Sequence, residues 1–222
     1  MLEIILLTLR LAFFTTLSLL LLATPLAWWL SQTRSWLKIP VSAVVTLPIV
    51  LPPTVLGFYI LILLAPDGWL GTLIHSWGFG PRPFAFSGLL FGSIIYSLPF
   101  AIQPLQNSFE AMGTRPLEVA ATLGLSPWRR FLRVALPLAK PGYVSAAVLV
   151  FAHTLGEFGV ILMIGGNIPG RTKVISTAIY DYVEMLQYEK AHLLAAGLLV
   201  FSFVIMAALY TFQRRDGQPW AR

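Results

Sequence analysis

Long apolar blocks separated by polar connections dominate the pattern along this chain. Five of them run approximately from Leu11 to Leu30, Val41 to Ala65, Ala85 to Gln103, Pro141 to Met163 and His192 to Phe212. A helix needs roughly 20 mostly apolar residues to cross the hydrocarbon core of a bilayer, and each block is about that long. The pattern predicts an all-α polytopic membrane protein with about five transmembrane helices, forming a single domain over residues 1–222. Arg10 ahead of an apolar run is also how a cleaved leader begins. The first block is long for a leader and ends in Trp28 and Trp29, an aromatic pair suited to the membrane interface, so a retained span is expected.

Two local features modify this picture. Pro48, Pro52 and Pro53 fall inside the second block, where each removes a backbone donor or crowds the preceding turn. A kinked or locally opened helix follows, either as a packing irregularity or with its freed carbonyls facing a water-filled path. Residues 174–191 carry Asp181, Glu184, Glu189 and Lys190, each costly within lipid, and are expected to form an external surface helix or a partial re-entrant segment.

Composition agrees with a lipid environment. Hydrophobic residues make up 57% and charged residues 11%, whereas soluble domains carry about a quarter charged. The net charge of +6 is distributed between the apolar blocks rather than on one soluble face, which argues against nucleic acid as a partner. The first connection holds Arg34 and Lys38, the third Arg115, Arg129, Arg130, Arg133 and Lys140, and the tail Arg214, Arg215 and Arg222. Placing these segments on one side gathers ten of the fifteen basic residues there, and the positive-inside bias makes that side the cytoplasm. The N-terminus is then outside and the C-terminus inside. Cysteine is absent, and the three histidines are scattered at positions 75, 153 and 192, so no metal site is expected. No glycine-rich loop ending in Lys-Ser/Thr is present, so the chain is not expected to bind or hydrolyse ATP itself.

The most informative stretch is residues 109–140, extending to Gly142 as FEAMGTRPLEVAATLGLSPWRRFLRVALPLAKPG. Pro116 suits a first helical turn, and Glu118 complements the positive end of the same helix. Leu117, Ala120, Ala121 and Gly124 place small or apolar groups along one face, and Gly124 can end the helix in a left-handed conformation. Ser126 reads as the N-cap of a second short helix through Trp128, Phe131 and Ala135, stopping at Pro137, with Arg129, Arg130 and Arg133 on its other face. Such a pair suits docking to a protein. An amphipathic pair resting on anionic membrane lipid would use the same arginines.

This segment resembles the coupling loop of permease subunits of bacterial ATP-binding-cassette importers. That pattern is Glu-Ala-Ala, three residues, Gly, then nine residues and an apolar-x-Leu-Pro ending. Here it is met by Glu118, Val119, Ala120, Gly124 and the run Val134-Ala135-Leu136-Pro137, with Val119 at the first alanine position. The segments LPIVLPPTVLGFYI at 47–60 and HTLGEFGVILMIGGNIPGRTKVISTAIYDYVE at 153–184 narrow the likeness to the molybdate and sulfate permeases.

The resemblance implies a type I importer permease fold in a bacterial inner membrane. It implies a homodimer with two cytoplasmic ATPase subunits, which carry the ATP and magnesium, and an extracytoplasmic oxyanion-binding protein. Molybdate, with tungstate as a second substrate, would enter by alternating access. A sulfate or thiosulfate permease is the alternative in the same class, and a membrane assembly partner without transport the alternative outside it. Glu118, Ala120, Ala121, Gly124, Leu125, Trp128 and Arg129 would meet the ATPase.

Glu157, between Gly156 and Phe158 in the fourth block, needs a reason to be there, because an intramembrane carboxylate is expensive. A helix-locking bond, a gate element, direct substrate contact and a relay with His153 at i, i+4 are the competing accounts. Direct contact is disfavoured because an ionised glutamate repels a dianion. Glu157, Gly156, Gly159, Pro52 and Pro53 are the candidate gate or path residues. On the outer side, Asn167, Pro169, Gly170 and Arg171 lie where a loaded binding protein would deliver its anion. The small face of GLLFGS, residues 88–93, permits close helix contact. No basic cluster lies at mid-membrane, which implies a weakly binding path with selectivity supplied from outside.

Overall fold

A computed structural model describes the chain over residues 1–77 and 80–216. Three helices are long and apolar enough to cross a membrane: α1 (Leu2–Gln32), α5 (Phe86–Met112) and α12, whose apolar part is Tyr188–Phe212. Two further helix pairs pass the same test only when taken together, and both are bent. Helices α2 (Lys38–Val50) and α3 (Pro53–Leu64) meet at 113°. The segment Pro127–Leu138 meets α9 (Lys140–Gly156) at 67°. Helix α4 (Trp69–Trp77) lies in the second connection, and among the described residues no strand forms.

The core follows from residue size and spacing. Leu19, Ala23, Ala27 and Leu30 recur every three or four residues on α1 and pack against Ala101, Ile102, Leu105 and Phe109 of α5 and Ala146 and Val150 of α9. Alanines on the facing surfaces let these helices approach closely, the dominant source of helix association where lipid removes the usual hydrophobic drive. Hydroxyls inside the helices find local partners: Thr8 donates to the Ile4 carbonyl and Thr16 to the Ala12 carbonyl, both at 2.7 Å. Outward positions such as Leu6, Leu21, Leu199 and Phe203 are exposed apolar side chains, as a lipid-facing surface requires.

Several expectations are corrected. The first helix begins at Leu2 rather than near Leu11. The fourth block is not one helix: α9 ends at Gly156, and α10 (Gly159–Gly165) begins after a break at Glu157 and Phe158. Ser126 precedes α7 (Pro127–Arg130) in an extended conformation but makes no side-chain cap bond. The second coupling helix does not stop at Pro137. It widens into a π-helical turn at Phe131–Ala135 and continues as α8 (Leu136–Leu138). The wider turn makes room for the proline ring, which would otherwise strike the carbonyl four residues earlier. Trp28 is half-buried, edge-to-face with Phe109 at 5.1 Å and Phe131 at 5.2 Å. Arg222 and the side chains of Arg214, Arg215 and His75 lie outside the described residues.

Residues 174–191 contain α11 (Ile175–Glu184), ten residues or about 15 Å long, too short to cross a bilayer. It buries Ile175, Thr177 and Ala178 and packs beside α12 through Leu194.

Candidate functional site

Two breaks in helical structure meet at one place. The first is set by sequence: Leu51 and Pro52 are extended, as residues before proline prefer, and Pro53 opens α3 at a position where its missing donor costs little. The second is at Glu157, also extended, with Phe158 at φ −122° and ψ −65°. Helices α3 and α10 then pack through Ile60, Leu64, Val160 and Ile164. The approach is close, because a Cβ on Gly57 would lie 2.8 Å from the Met163 Cβ.

Around the second break lies a cleft of about 590 Å³. Pro53 and Thr54 line it from α3, Tyr96 from α5, His153 and Gly156 from α9, and Glu157 and Gly159 from the break itself. The Glu157 side chain is 3% exposed, and neither carboxyl oxygen has a hydrogen-bond partner. The buried Ser93 hydroxyl is a neighbour of this carboxyl but is not hydrogen-bonded to it. Glu157 is instead fixed through its main chain, whose carbonyl accepts from Ser176 Oγ at 2.6 Å, while the Phe158 ring packs on Tyr180 at 5.1 Å. Helix α11 thereby ties down the broken end of α9.

His153 does not pair with Glu157. Its Nδ1 is 2.9 Å from Ser97 Oγ, and its ring stacks on Phe100 at 4.2 Å and lies 4.7 Å from Tyr96. The helix ends at Gly156, so the i, i+4 geometry that would have joined the two side chains is not completed. Among the described residues, no three His, Cys, Asp or Glu side chains gather as a metal site.

At one end of the bundle, α6 (Arg115–Thr122), α7 and the π turn form the corner. Gly124 has φ +79°, its N–H bonds the Ala121 carbonyl and the Leu125 N–H bonds the Ala120 carbonyl at 3.1 Å. This reciprocal pair satisfies the last carbonyls of α6 and fixes the turn. Glu118, Ala121, Gly124, Trp128 and Arg129 are exposed, and Leu125 is half-buried. Ala120 is buried at 5% exposure and faces into the pair, so it is not part of the outward surface. Val119 at 60%, Leu123 at 74% and Trp128 at 68% supply the outward apolar patch. Trp128 stacks on Phe131 at 5.8 Å, and Phe131 reaches Trp28 on α1. The patch thus connects by ring contacts to the membrane helices.

At the opposite end, residues 166–173 form a tethered loop. Asn167, at φ 53°, donates through Nδ2 to both oxygens of Asp181 at 2.8 Å, and Lys173 pairs with the same carboxylate. Thr172 donates to the Gly165 carbonyl at 2.6 Å and accepts from the Ile168 N–H. Pro169, Gly170 and Arg171 remain as an exposed tip.

Residues 20–215 match the family described as the inner membrane component of binding-protein-dependent transport systems. The chain belongs to that family. This inner membrane component is a multi-pass permease subunit rather than an enzyme. It is 56% identical over 208 residues to the molybdenum transport system permease protein ModB of Azotobacter vinelandii, covering 94% of this chain and 92% of that one. It is also 33% identical to a probable sulfate transport system permease protein of Chlorella vulgaris, over 94% of this chain and 78% of that one. In fold it is similar to a chain of a bacterial alginate ABC transporter solved with a periplasmic protein carrying an alginate pentasaccharide. That likeness has a TM-score of 0.75 at 21% identity and covers 97% of this chain and 78% of the other.

The permease brings Pro53, Gly156, Glu157 and Gly159 together at the cleft, with Pro52 as the cap of α3. Gly156 needs no close approach, since a Cβ there would meet nothing within 4 Å. Gly92 of the 88–93 stretch is used within the chain, facing Ile164 and Val160 of α10. Thr54, Tyr96 and Ser176 were not singled out from sequence. A lone hydroxyl in an apolar block gives no signal of which cavity it lines, whereas the exposed Val119 and Leu123 were open to detection from their place beside the corner.

Proposed function

We propose that this permease carries molybdate into the cytoplasm, with tungstate as a second substrate of nearly the same size and charge. The observation that carries the reading is the 56% identity to a molybdenum transport permease over almost the whole chain. Two copies form the path, two ATPase subunits bind ATP and magnesium beneath it, and an extracytoplasmic oxyanion-binding protein delivers the anion. The basic connections set the orientation: N-terminus outside, C-terminus and α6–α8 inside.

In this reading, Glu118, Ala121, Gly124, Trp128 and Arg129, together with Val119 and Leu123, form the surface gripped by the ATPase. Ala120 and Leu125 shape it from behind. Asn167 holds the loop whose tip, Pro169 to Arg171, meets the binding protein. The breaks at Pro52–Pro53 and Glu157–Gly159 act as the gate: a non-helical backbone at membrane depth can change its packing without unwinding a whole helix. ATP-driven closure of the ATPases pulls on α6–α8 and shifts the breaks between inward-open and outward-open arrangements. A buried carboxyl without a partner is costly, which favours rearrangement to a state where it gains one.

Reconstitution with the cognate ATPase and binding protein, followed by ATP-driven uptake of molybdate, tungstate and sulfate, tests the proposal. Molybdate uptake is expected, with sulfate transported poorly. Uptake of sulfate or thiosulfate but not molybdate would move the assignment to the alternative suggested by the sulfate permease relative.

A further inference from the structure

Between α1, α9, α11 and α12 lies a groove of about 470 Å³ lined by methionine, isoleucine, leucine, phenylalanine and glycine side chains alone. Leu155 belongs to its wall, and Ile5, Leu194, Gly197 and Phe201 run along it. Gly197 faces open space, since a Cβ there would have no heavy atom within 4 Å. The surrounding surface of α12 is exposed and apolar, with Leu193, Leu199, Val200 and Phe203 uncovered. A groove of this composition in a membrane-crossing helix suits an acyl chain.

A basic residue stands beside its mouth. Lys190, Leu194, Gly197 and Phe201 follow one another at spacings of four, three and four, which places them on one face of α12. Lys190 therefore stands one turn above the groove. Its Nζ is 5.7 Å from the centroid of the Tyr182 ring and donates to Gln187 Oε1 at 3.0 Å in an exposed bond. Tyr182 packs, with Ile5 and Leu198, against the buried cluster of Ile175, Ala178 and Leu194, and four of these, Ile5, Ile175, Leu194 and Leu198, also line the groove. An ammonium and an aromatic ring at the head of an apolar channel match a phosphate headgroup above an acyl chain.

We propose that this groove is a phospholipid-binding site, with one acyl chain lying along Gly197 and the lipid phosphate held by Lys190. The site is independent of which anion the permease carries. A second apolar groove of about 510 Å³, lined by Val148, Phe151, Ile205, Ala208 and Phe212 among others, lies further along α12 and serves as a control for position.

The test uses the full chain reconstituted in vesicles of phosphatidylglycerol, phosphatidylethanolamine and diacylglycerol, extracted in detergent and weighed by native mass spectrometry. The wild type is expected to retain one phospholipid per copy. Gly197→Leu, which fills open space without a clash, should lower that retention about tenfold, because each displaced methylene contact is lost. Ala208→Leu should leave it unchanged. Lys190→Gln should lower phospholipid retention about fivefold while leaving diacylglycerol, which lacks the phosphate, unaffected. Equal retention by Gly197→Leu and wild type, or equal loss from Ala208→Leu, would overturn the site. The chain has no cysteine, so Gly197→Cys also reports on a different occupant: a disulfide between two copies would show that protein, not lipid, fills the groove.

Discussion

Gly159 sits directly against Pro53: a Cβ on residue 159 would lie 2.8 Å from the Pro53 Cβ, closer than real side chains approach. The start of α10 is therefore seated on the start of α3, and the two breaks move as neighbours. Gly159→Val should force them apart, costing about 1–3 kcal/mol as overpacking does. ATP-driven uptake per inserted molecule is expected to fall about five- to hundredfold, on the order of that cost. Uptake at the wild-type rate would mean that this contact is not part of the gate.

Glu157→Gln keeps the shape of the side chain and removes its capacity to ionise. Because the break is held by its main-chain carbonyl and Ser176, the folded structure should survive, with thermal unfolding little changed. Coupled uptake is expected to drop about tenfold, as for loss of a charge-assisted bond formed in only one state. Normalising uptake to membrane-inserted protein separates the two effects, and equal loss of both would reduce Glu157 to a structural role.

The corner at Gly124 predicts a different defect. Gly124→Val places a β-branched residue at φ +79°, which costs about 1–2 kcal/mol and more for a branched side chain. Within this chain a Cβ there meets nothing within 4 Å, so the effect arises from the backbone or from contact with the ATPase. ATP hydrolysis by the attached ATPases should continue while uptake falls. Leu123→Asp, on the exposed patch, should instead weaken ATPase binding about tenfold in a pull-down titration.

Asp181 gathers Asn167 and Lys173 on one carboxylate. Asp181→Ala leaves a partly buried ammonium and an amide without their acceptor, a change of about 1–3 kcal/mol. Hydrogen exchange should rise across 166–173, and affinity for the binding protein should fall while ATPase binding holds. Unaltered exchange would show that the loop is held by Thr172 alone.

Legibility from sequence tracked how local each cause was. The break at Pro52–Pro53 was readable because proline restricts its own and the preceding residue's backbone wherever it lies. The break at Glu157 was not, since the segment contains no proline and its carbonyl finds a partner 19 residues away in Ser176. Ala120 illustrates the same limit: in an eight-residue helix, spacing alone does not choose which small residue turns inward, and tertiary packing decided it.

By itself, then, the order of residues determined the solvent, the all-helical membrane character, the corner at Gly124 and the kink at Pro52. These depend on hydropathy summed over a stretch or on one residue's backbone freedom. Only the tertiary structure decided that the two breaks meet, that Glu157 is buried without a partner, that His153 turns to Ser97, and that Trp128 connects through Phe131 to Trp28. Each of these is a contact between distant segments, fixed by the close packing of helices whose faces the linear pattern leaves free to choose their neighbours.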